Sequence, residues 1–161
     1  ILNKLSQVDG RMNVFEKNGV KIIVDYAHST LATKEVLEYL NNIKKERIIS
    51  VFGVGGNRDK EKRSSLGSLV CEYSDIVIFT EDNSRDENVN DIINDLTKDV
   101  KKKNFIIETN RKNAIELALN ASYKGDIVVI LGKGNENKII GKEVREFSDL
   151  KYIMEYVNKY E

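Results

Sequence analysis

Five short apolar runs recur along the chain: Lys21-Ile22-Ile23-Val24, Ile48-Ile49-Ser50-Val51-Phe52, Ile76-Val77-Ile78-Phe79, Phe105-Ile106-Ile107 and Ile127-Val128-Val129-Ile130-Leu131. They are rich in β-branched residues and almost continuous. A strand that is apolar at every position is covered on both faces, which is the condition of a parallel sheet between helical layers. The stretches between the runs carry helical spacing. Ala32, Val36, Leu37, Leu40 and Ile43 share one face, as do Leu66, Leu69, Val70 and Tyr73. Val89, Ile92, Ile93, Leu96 and Val100 make a third stripe, and Ala114, Ile115, Ala118 and Ala121 a fourth. Leu150, Ile153, Met154 and Val157 make a closing helix, with Ser148 as its N-cap. This alternation predicts a doubly wound α/β fold with right-handed crossovers.

The beginning of the chain departs from the alternation. Arg11 to Glu16 reads as a short strand, and Asn18-Gly19 separates it from the first apolar run. Asn-Gly between two strand-like segments is a hairpin signal, so the first strand is expected antiparallel to the second, at an edge of the sheet. Residues 1–10 read as a linker or the end of a preceding helix. Lys101-Lys102-Lys103 is expected to be a solvated helix end, where cations suit the dipole.

At 161 residues the chain fits one domain with a core of its own. Its 26 Lys and Arg balance 26 Asp and Glu, which argues against a nucleic-acid or anionic-membrane partner reached through bulk charge. No apolar run is long enough to span a bilayer. Ile1-Leu2-Asn3-Lys4 has neither the charged region nor the apolar region of a signal peptide, and without an initiator Met the chain is expected to be cut from something longer. The one cysteine, Cys71, excludes an internal disulfide and fits a reducing cytoplasm. With one His and one Cys, no zinc site of the usual ligand types is expected.

In open α/β sheets ligands bind beyond the carboxyl ends of the strands. The residues after the runs are Asp25-Tyr26-Ala27-His28-Ser29-Thr30, Gly53-Val54-Gly55-Gly56-Asn57-Arg58-Asp59, Thr80-Glu81-Asp82-Asn83-Ser84-Arg85-Asp86 and Gly132-Lys133-Gly134-Asn135-Glu136. Turns alone need Gly and Asn. They do not need His28, Arg58, Arg85, Lys133 and Glu136 on one rim. Simple motifs fail individually. Arg58 stands where a dinucleotide fingerprint needs its third Gly, and Lys133 is followed by Gly134 rather than the Ser or Thr of a P-loop. Glu87 and Ile93 break a calcium loop begun at Asp82. A guanidinium fork matches carboxylate or phosphate, and Asn83 with Glu136 suits an ammonium group, so the set would hold a zwitterionic amino acid. The plain alternatives are that Asp25 caps the next helix, that His28 is a surface residue, and that Arg58 and Arg85 pair with Asp59 and Asp86.

At these residues the sequence resembles a family. Gly10-Arg11-Met12, Val24-Asp25-Tyr26-Ala27-His28, Phe52 to Asp59 with Lys62-Arg63, Asp82-Asn83-Ser84-Arg85, Gly132 to Glu136 and Phe147-Ser148-Asp149 resemble, in order and spacing, the carboxy-terminal domain of the Mur ligases. The nearest likeness is to the branch that adds the third residue of the cell-wall precursor peptide. The resemblance implies a Rossmann-like, doubly wound, mostly parallel sheet with an antiparallel edge strand. It also implies a parent chain in which residues 1–10 link a preceding central ATPase domain to this domain, 11–161.

By the same resemblance the parent is an ATP-dependent ligase of peptidoglycan synthesis, using ATP and Mg2+ held mainly by the central domain. It would join an amino acid to a UDP-MurNAc-dipeptide in the cytoplasm, with neither nucleic acid nor membrane as partner. Arg11 would lie near phosphate, Asp25 near ribose hydroxyls and His28 near the nucleotide. Arg58, Asn83, Arg85, Gly132 and Glu136 match the positions that hold the incoming amino acid. An Arg at the position of Arg85 marks the members that add meso-diaminopimelate rather than lysine. The chain departs from the family pattern at four places: Ser84 for Pro, Ser29-Thr30 for Thr-Pro, Asn135 for His and Asn57 for Asp. Two other readings stay open, another Mur-like or cyanophycin-type amide ligase and a non-catalytic nucleotide-binding α/β module.

Overall fold

The computed structural model describes residues 9–159. The linker expected over residues 1–10 therefore lies outside the described residues up to residue 8, and Asp9-Gly10 forms a turn. A hairpin of β1 (Asn13–Lys17) and β2 (Val20–Asp25) opens the fold. The alternation follows: α1 (Thr30–Ile43), β3 (Ile48–Phe52), α2 (Glu61–Tyr73), β4 (Ile76–Phe79), α3 (Val89–Thr97), β5 (Phe105–Ile107), α4 (Arg111–Ala121) and β6 (Ile127–Leu131). A small hairpin, β7 (Lys138–Ile140) with β8 (Val144–Glu146), precedes the closing α5 (Asp149–Asn158).

The main sheet has the order β1-β2-β6-β3-β4-β5. Only β1 with β2 is antiparallel in it. The hairpin turn places Asn18 at φ 52° and Gly19 at φ 77°, the two positive values that a type I′ turn requires. Alternate residues of each strand feed two cores. Ile23, Ile48, Phe52, Val77, Phe79 and Val129 pack with α1, α2 and α3 on one face. Val24, Ile49, Val51, Ile78, Val128 and Ile130 pack with α4 and α5 on the other. The continuous apolar runs are thus explained by cover on both sides. Ser148 caps α5, its side chain accepting from the Lys151 N–H.

Two features differ from the sequence expectation. Lys101-Lys102-Lys103 is not a helix end: α3 stops at Thr97, and the three lysines lie exposed in the loop before β5, with Lys102 Nζ donating to the Ser74 carbonyl at 3.1 Å. The β7–β8 hairpin carries no readable signal, because six mostly exposed residues with Ile139 alone buried have no apolar period to detect.

Close backbone packing fixes the helical layer beside the site. A Cβ on Gly67 of α2 would lie 1.9 Å from the Leu96 carbonyl oxygen of α3. Gly67→Ala is therefore expected to force the two helices apart. It should cost about 1–3 kcal/mol, the scale of overpacking a tight core, readable as a lower urea midpoint.

Candidate functional site

Strand ends β2, β3, β4 and β6 release their loops on one edge of the sheet, and these loops enclose a cleft of about 700 Å³. His28, Arg58, Asn83, Arg85, Gly132 and Glu136 line it, whereas Lys133, expected on the same rim, does not. The loops meet backbone to backbone. The Gly56 N–H donates to the Asn83 carbonyl at 2.7 Å, and a Cβ on Gly56 would lie 1.9 Å from the Ser84 oxygen. Gly134, at φ 53°, packs against Gly10, at φ 83°, and a Cβ on Gly10 would reach the Asn135 nitrogen at 2.1 Å.

Arg58 and Arg85 do not pair with the neighbouring acids. Asp86 accepts from Asn57 Nδ2 at 2.8 Å, and Asp59 lies 3.8 Å from Lys62 Nζ. Arg58 is exposed at the cleft wall and has no hydrogen bond or ion pair among the described residues. Arg85 sits at φ 53°, and its Nη1 donates to the carbonyls of Gly56 at 3.1 Å and Asn83 at 3.2 Å. Its Nε and Nη2 remain without a partner among the described residues. Two guanidinium groups thus keep donors for an acidic ligand.

Asn83 is buried, and its amide oxygen accepts from Lys133 Nζ at 2.9 Å and from the Ile140 N–H at 2.9 Å. Its Nδ2 donates to Glu136 Oε2 at 3.2 Å. The expectation that Asn83 suits an ammonium group is thereby corrected: both acceptor positions of the amide are occupied by protein donors, and what it offers the cleft is N–H. Glu136, whose Oε2 accepts that N–H, is a carboxylate on the cleft lining. The β7–β8 hairpin supports this loop from behind, since Ile140 also accepts from the Arg85 N–H at 2.9 Å.

A second network sets the loop that carries Arg58. Arg63, buried in α2, donates to Glu87 Oε2 at 2.6 Å and to Asp95 at 3.0 Å. Glu87 in turn accepts from the Asn57 N–H at 2.6 Å. The Arg63 guanidinium, with Asn57 and Lys60, pulls the Glu87 carboxyl down from its ordinary 4.5 to about 2. A depressed carboxyl contributes stability that is present above pH 4.5 and lost as pH falls through about 2. Glu87→Gln should abolish that acid-labile component, so its unfolding free energy should fall less than that of the wild type between pH 4.5 and 2.

The residues expected at the nucleotide are placed unequally. His28 is exposed in the cleft, its Nδ1 2.9 Å from the Tyr26 carbonyl and its ring edge-on to Tyr26. Arg11 lies outside the cleft lining, its guanidinium over the Tyr26 ring 5.6 Å from the centroid. Asp25 is buried and also off the lining, accepting from the N–H groups of Met12 at 2.8 Å and Ala27 at 2.7 Å. It ties the segment bearing Arg11 to the end of β2, and the cap of α1 is Ser29 instead. Asn135, where the family pattern has His, is exposed and does not line the cleft. Among the described residues no group of three or more His, Cys, Asp or Glu is placed to hold a metal ion.

Beneath the rim lies a pair that the sequence did not announce. Arg111 and Asp149 are fully buried and joined by two hydrogen bonds, Nε to Oδ1 at 2.8 Å and Nη2 to Oδ2 at 2.7 Å. Arg111 also donates to the carbonyls of Glu81 and Leu131, both at 3.0 Å. These carbonyls sit where β4 and β6 end, so the pair holds the two strand ends from which Asn83 and Gly132 project.

Residues 10–134 match the family described as Mur ligase, glutamate ligase domain. The UDP-N-acetylmuramoyl-L-alanyl-D-glutamate--2,6-diaminopimelate ligase 1 of Clostridium acetobutylicum is 39% identical over 98% of this chain and 34% of its own length. The ligase of the same substrates from Clostridium perfringens is 49% identical over 80% of this chain and 27% of its own length. A solved structure of such a diaminopimelate ligase superposes with a TM-score of 0.88 at 31% identity, over 97% of this chain and 33% of that one. The MurF ligase of Thermotoga maritima, solved with ADP, superposes with a TM-score of 0.60 at 26% identity, over 81% of this chain and 29% of that one. This chain spans about a third of the length of the relatives it matches. With the family's motifs placed on four adjoining strand-end loops of the matching fold, the chain belongs to the Mur ligase family, as its carboxy-terminal, glutamate ligase domain.

Proposed function

We propose that this domain holds the incoming amino acid for an ATP-dependent ligase that joins meso-diaminopimelate to UDP-N-acetylmuramoyl-L-alanyl-D-glutamate. The observation that carries the proposal is the cleft itself, where Arg58 and Arg85 keep donors for carboxylates on a rim that also presents Glu136 to an ammonium group. In this reading residues 1–10 connect to a central ATPase domain and residues 11–161 form the carboxy-terminal domain. Mg2+ and most of the phosphate contacts belong to the central domain, and the enzyme works in the cytoplasm. No helix among the described residues is long and apolar enough to cross a membrane.

The acceptor carboxylate attacks the γ-phosphorus of ATP and displaces ADP, giving an acyl phosphate. An amino group of diaminopimelate then attacks the acyl carbon, and phosphate leaves as the C–N bond forms and the nitrogen gives up a proton. This domain positions that nucleophile and excludes water as it closes on the central domain. Arg11 and His28 supply the wall turned to the nucleotide, with Arg11 reaching the phosphates from its place beside Tyr26, while Asp25, its oxygens held by the Met12 and Ala27 N–H groups, supports that wall from beneath rather than meeting the ribose. The test is an assay of the full-length enzyme with the UDP-dipeptide, ATP and either amino acid. Amide formation with meso-diaminopimelate over lysine is expected, and a preference for lysine would overturn the substrate assignment. In that enzyme Arg11→Ala should raise KM for ATP by about 10- to 100-fold, the scale of one lost charge-assisted contact. An unchanged KM would leave Arg11 a surface charge.

A further inference from the structure

Among the described residues Lys133 is the one cation of these strand-end loops with no exposed surface, and nothing so far explains why the fold buries it. Its Nζ lies 2.9 Å from Asn83 Oδ1, 3.6 Å from Asp82 Oδ1 and 3.8 Å from Glu136 Oε2. It does not line the cleft. A buried ammonium is expensive unless its donors are used, and here its short contact is with an amide oxygen rather than with a carboxylate.

We propose that Lys133 is a positioning residue that fixes the polarity of Asn83, so that Asn83 reads a carboxylate of the incoming amino acid and leaves its ammonium to Glu136. The proposal rests on the reading of the cleft as the amino-acid site. An Asn side chain can turn its oxygen or its nitrogen to a ligand at nearly equal steric cost, so its role is set by what holds the other end. Two donors from different elements hold the oxygen here, Lys133 Nζ after β6 and the Ile140 N–H on β7. The amide nitrogen is left to Glu136, which lines the cleft together with Asn83. Turning the amide over would set its NH2 against an ammonium and an N–H, and its oxygen against the Glu136 carboxylate. Each of the three contacts would become repulsive. The orientation is thus built in before any ligand arrives, which is the arrangement that makes a polar contact selective.

The test uses the full-length ligase with the amino acid varied at saturating ATP and UDP-dipeptide. Lys133→Met is expected to raise KM for the amino acid about tenfold or more, with KM for ATP unchanged. Asn83→Ala should do the same, and the double variant should be no worse than Asn83→Ala alone, because one residue acts through the other. Losses that multiply would overturn the positioning role, as would equal changes in both KM values. Asn83→Asp keeps the size and an oxygen for Lys133, so it decides the question even if Lys133→Met does not fold. A carboxylate-reading position should lose about 100-fold in kcat/KM on gaining a negative charge. An unchanged or improved value would place the ammonium at Asn83 and overturn the proposal. Wild-type enzyme that ligates no amino acid would instead overturn the reading of the cleft, and the proposal with it.

Discussion

Arg85→Ala in the full-length ligase is expected to lower kcat/KM for meso-diaminopimelate by on the order of 100-fold or more, the scale of a lost charged hydrogen bond. Lysine, which lacks the distal carboxylate, should be almost untouched as a substrate. The expectation follows from where the guanidinium is held. Its Nη1 is committed to the carbonyls of Gly56 and Asn83, which fixes the plane of the group and leaves its other donors to the cleft. A preoriented fork can read a second carboxylate bidentately, and a substrate without one forgoes that contact. Competition between the two amino acids on wild type and variant checks it. Equal losses for both would mean that Arg85 only braces its loop, whose contacts with Gly56 the variant also removes.

Asp149→Ala should have the largest effect on stability, about 3–5 kcal/mol, because it leaves the Arg111 guanidinium buried and uncompensated. Domains of this size are stable by only about 5–15 kcal/mol in all, so the variant is expected to unfold at much lower urea concentration. Removing both charges, as in Arg111→Met with Asp149→Leu, should recover much of the loss. The double variant would still lack the donors to the Glu81 and Leu131 carbonyls. It is therefore expected to fold and yet bind the amino acid less well. A stability loss in the double variant as large as that in Asp149→Ala would show that the pair contributes net stability rather than only avoiding a lone charge.

The sheet and its two helical layers were legible because burial on both faces writes itself into every residue of a central strand. Ile48 to Phe52 and Ile127 to Leu131 are apolar almost throughout, and each is paired on both edges. The hairpin was legible for a local reason, the two positive φ values that Asn18-Gly19 accepts at little cost. The edge of the sheet that bears the cleft followed from strand direction alone. The helix expected to reach the lysine run was not legible in its end. Val100 continues the stripe and is buried, but the backbone leaves the helix at Thr97 before reaching it.

The chain's sequence by itself determined the α/β class, the antiparallel edge, the rim on which chemistry collects, and, through the order of its motifs, the family. Those are carried by periodicity, turn chemistry and short motifs, all of them local in the chain. Tertiary structure alone decided which polar groups on that rim are free. Asn83, Lys133 and Ile140 are brought together from three elements, and only their meeting makes Asn83 a donor. Asp25 reads as a rim carboxylate in the sequence, yet its oxygens turn inward to Met12 and Ala27. Arg111 and Asp149, at two helix starts 38 residues apart, become a buried pair under the cleft, and nothing local in the chain links them. The physical reason is common to all three. A polar side chain's role is set by which of its donors and acceptors the fold has already used, and those partners come from residues distant in the chain.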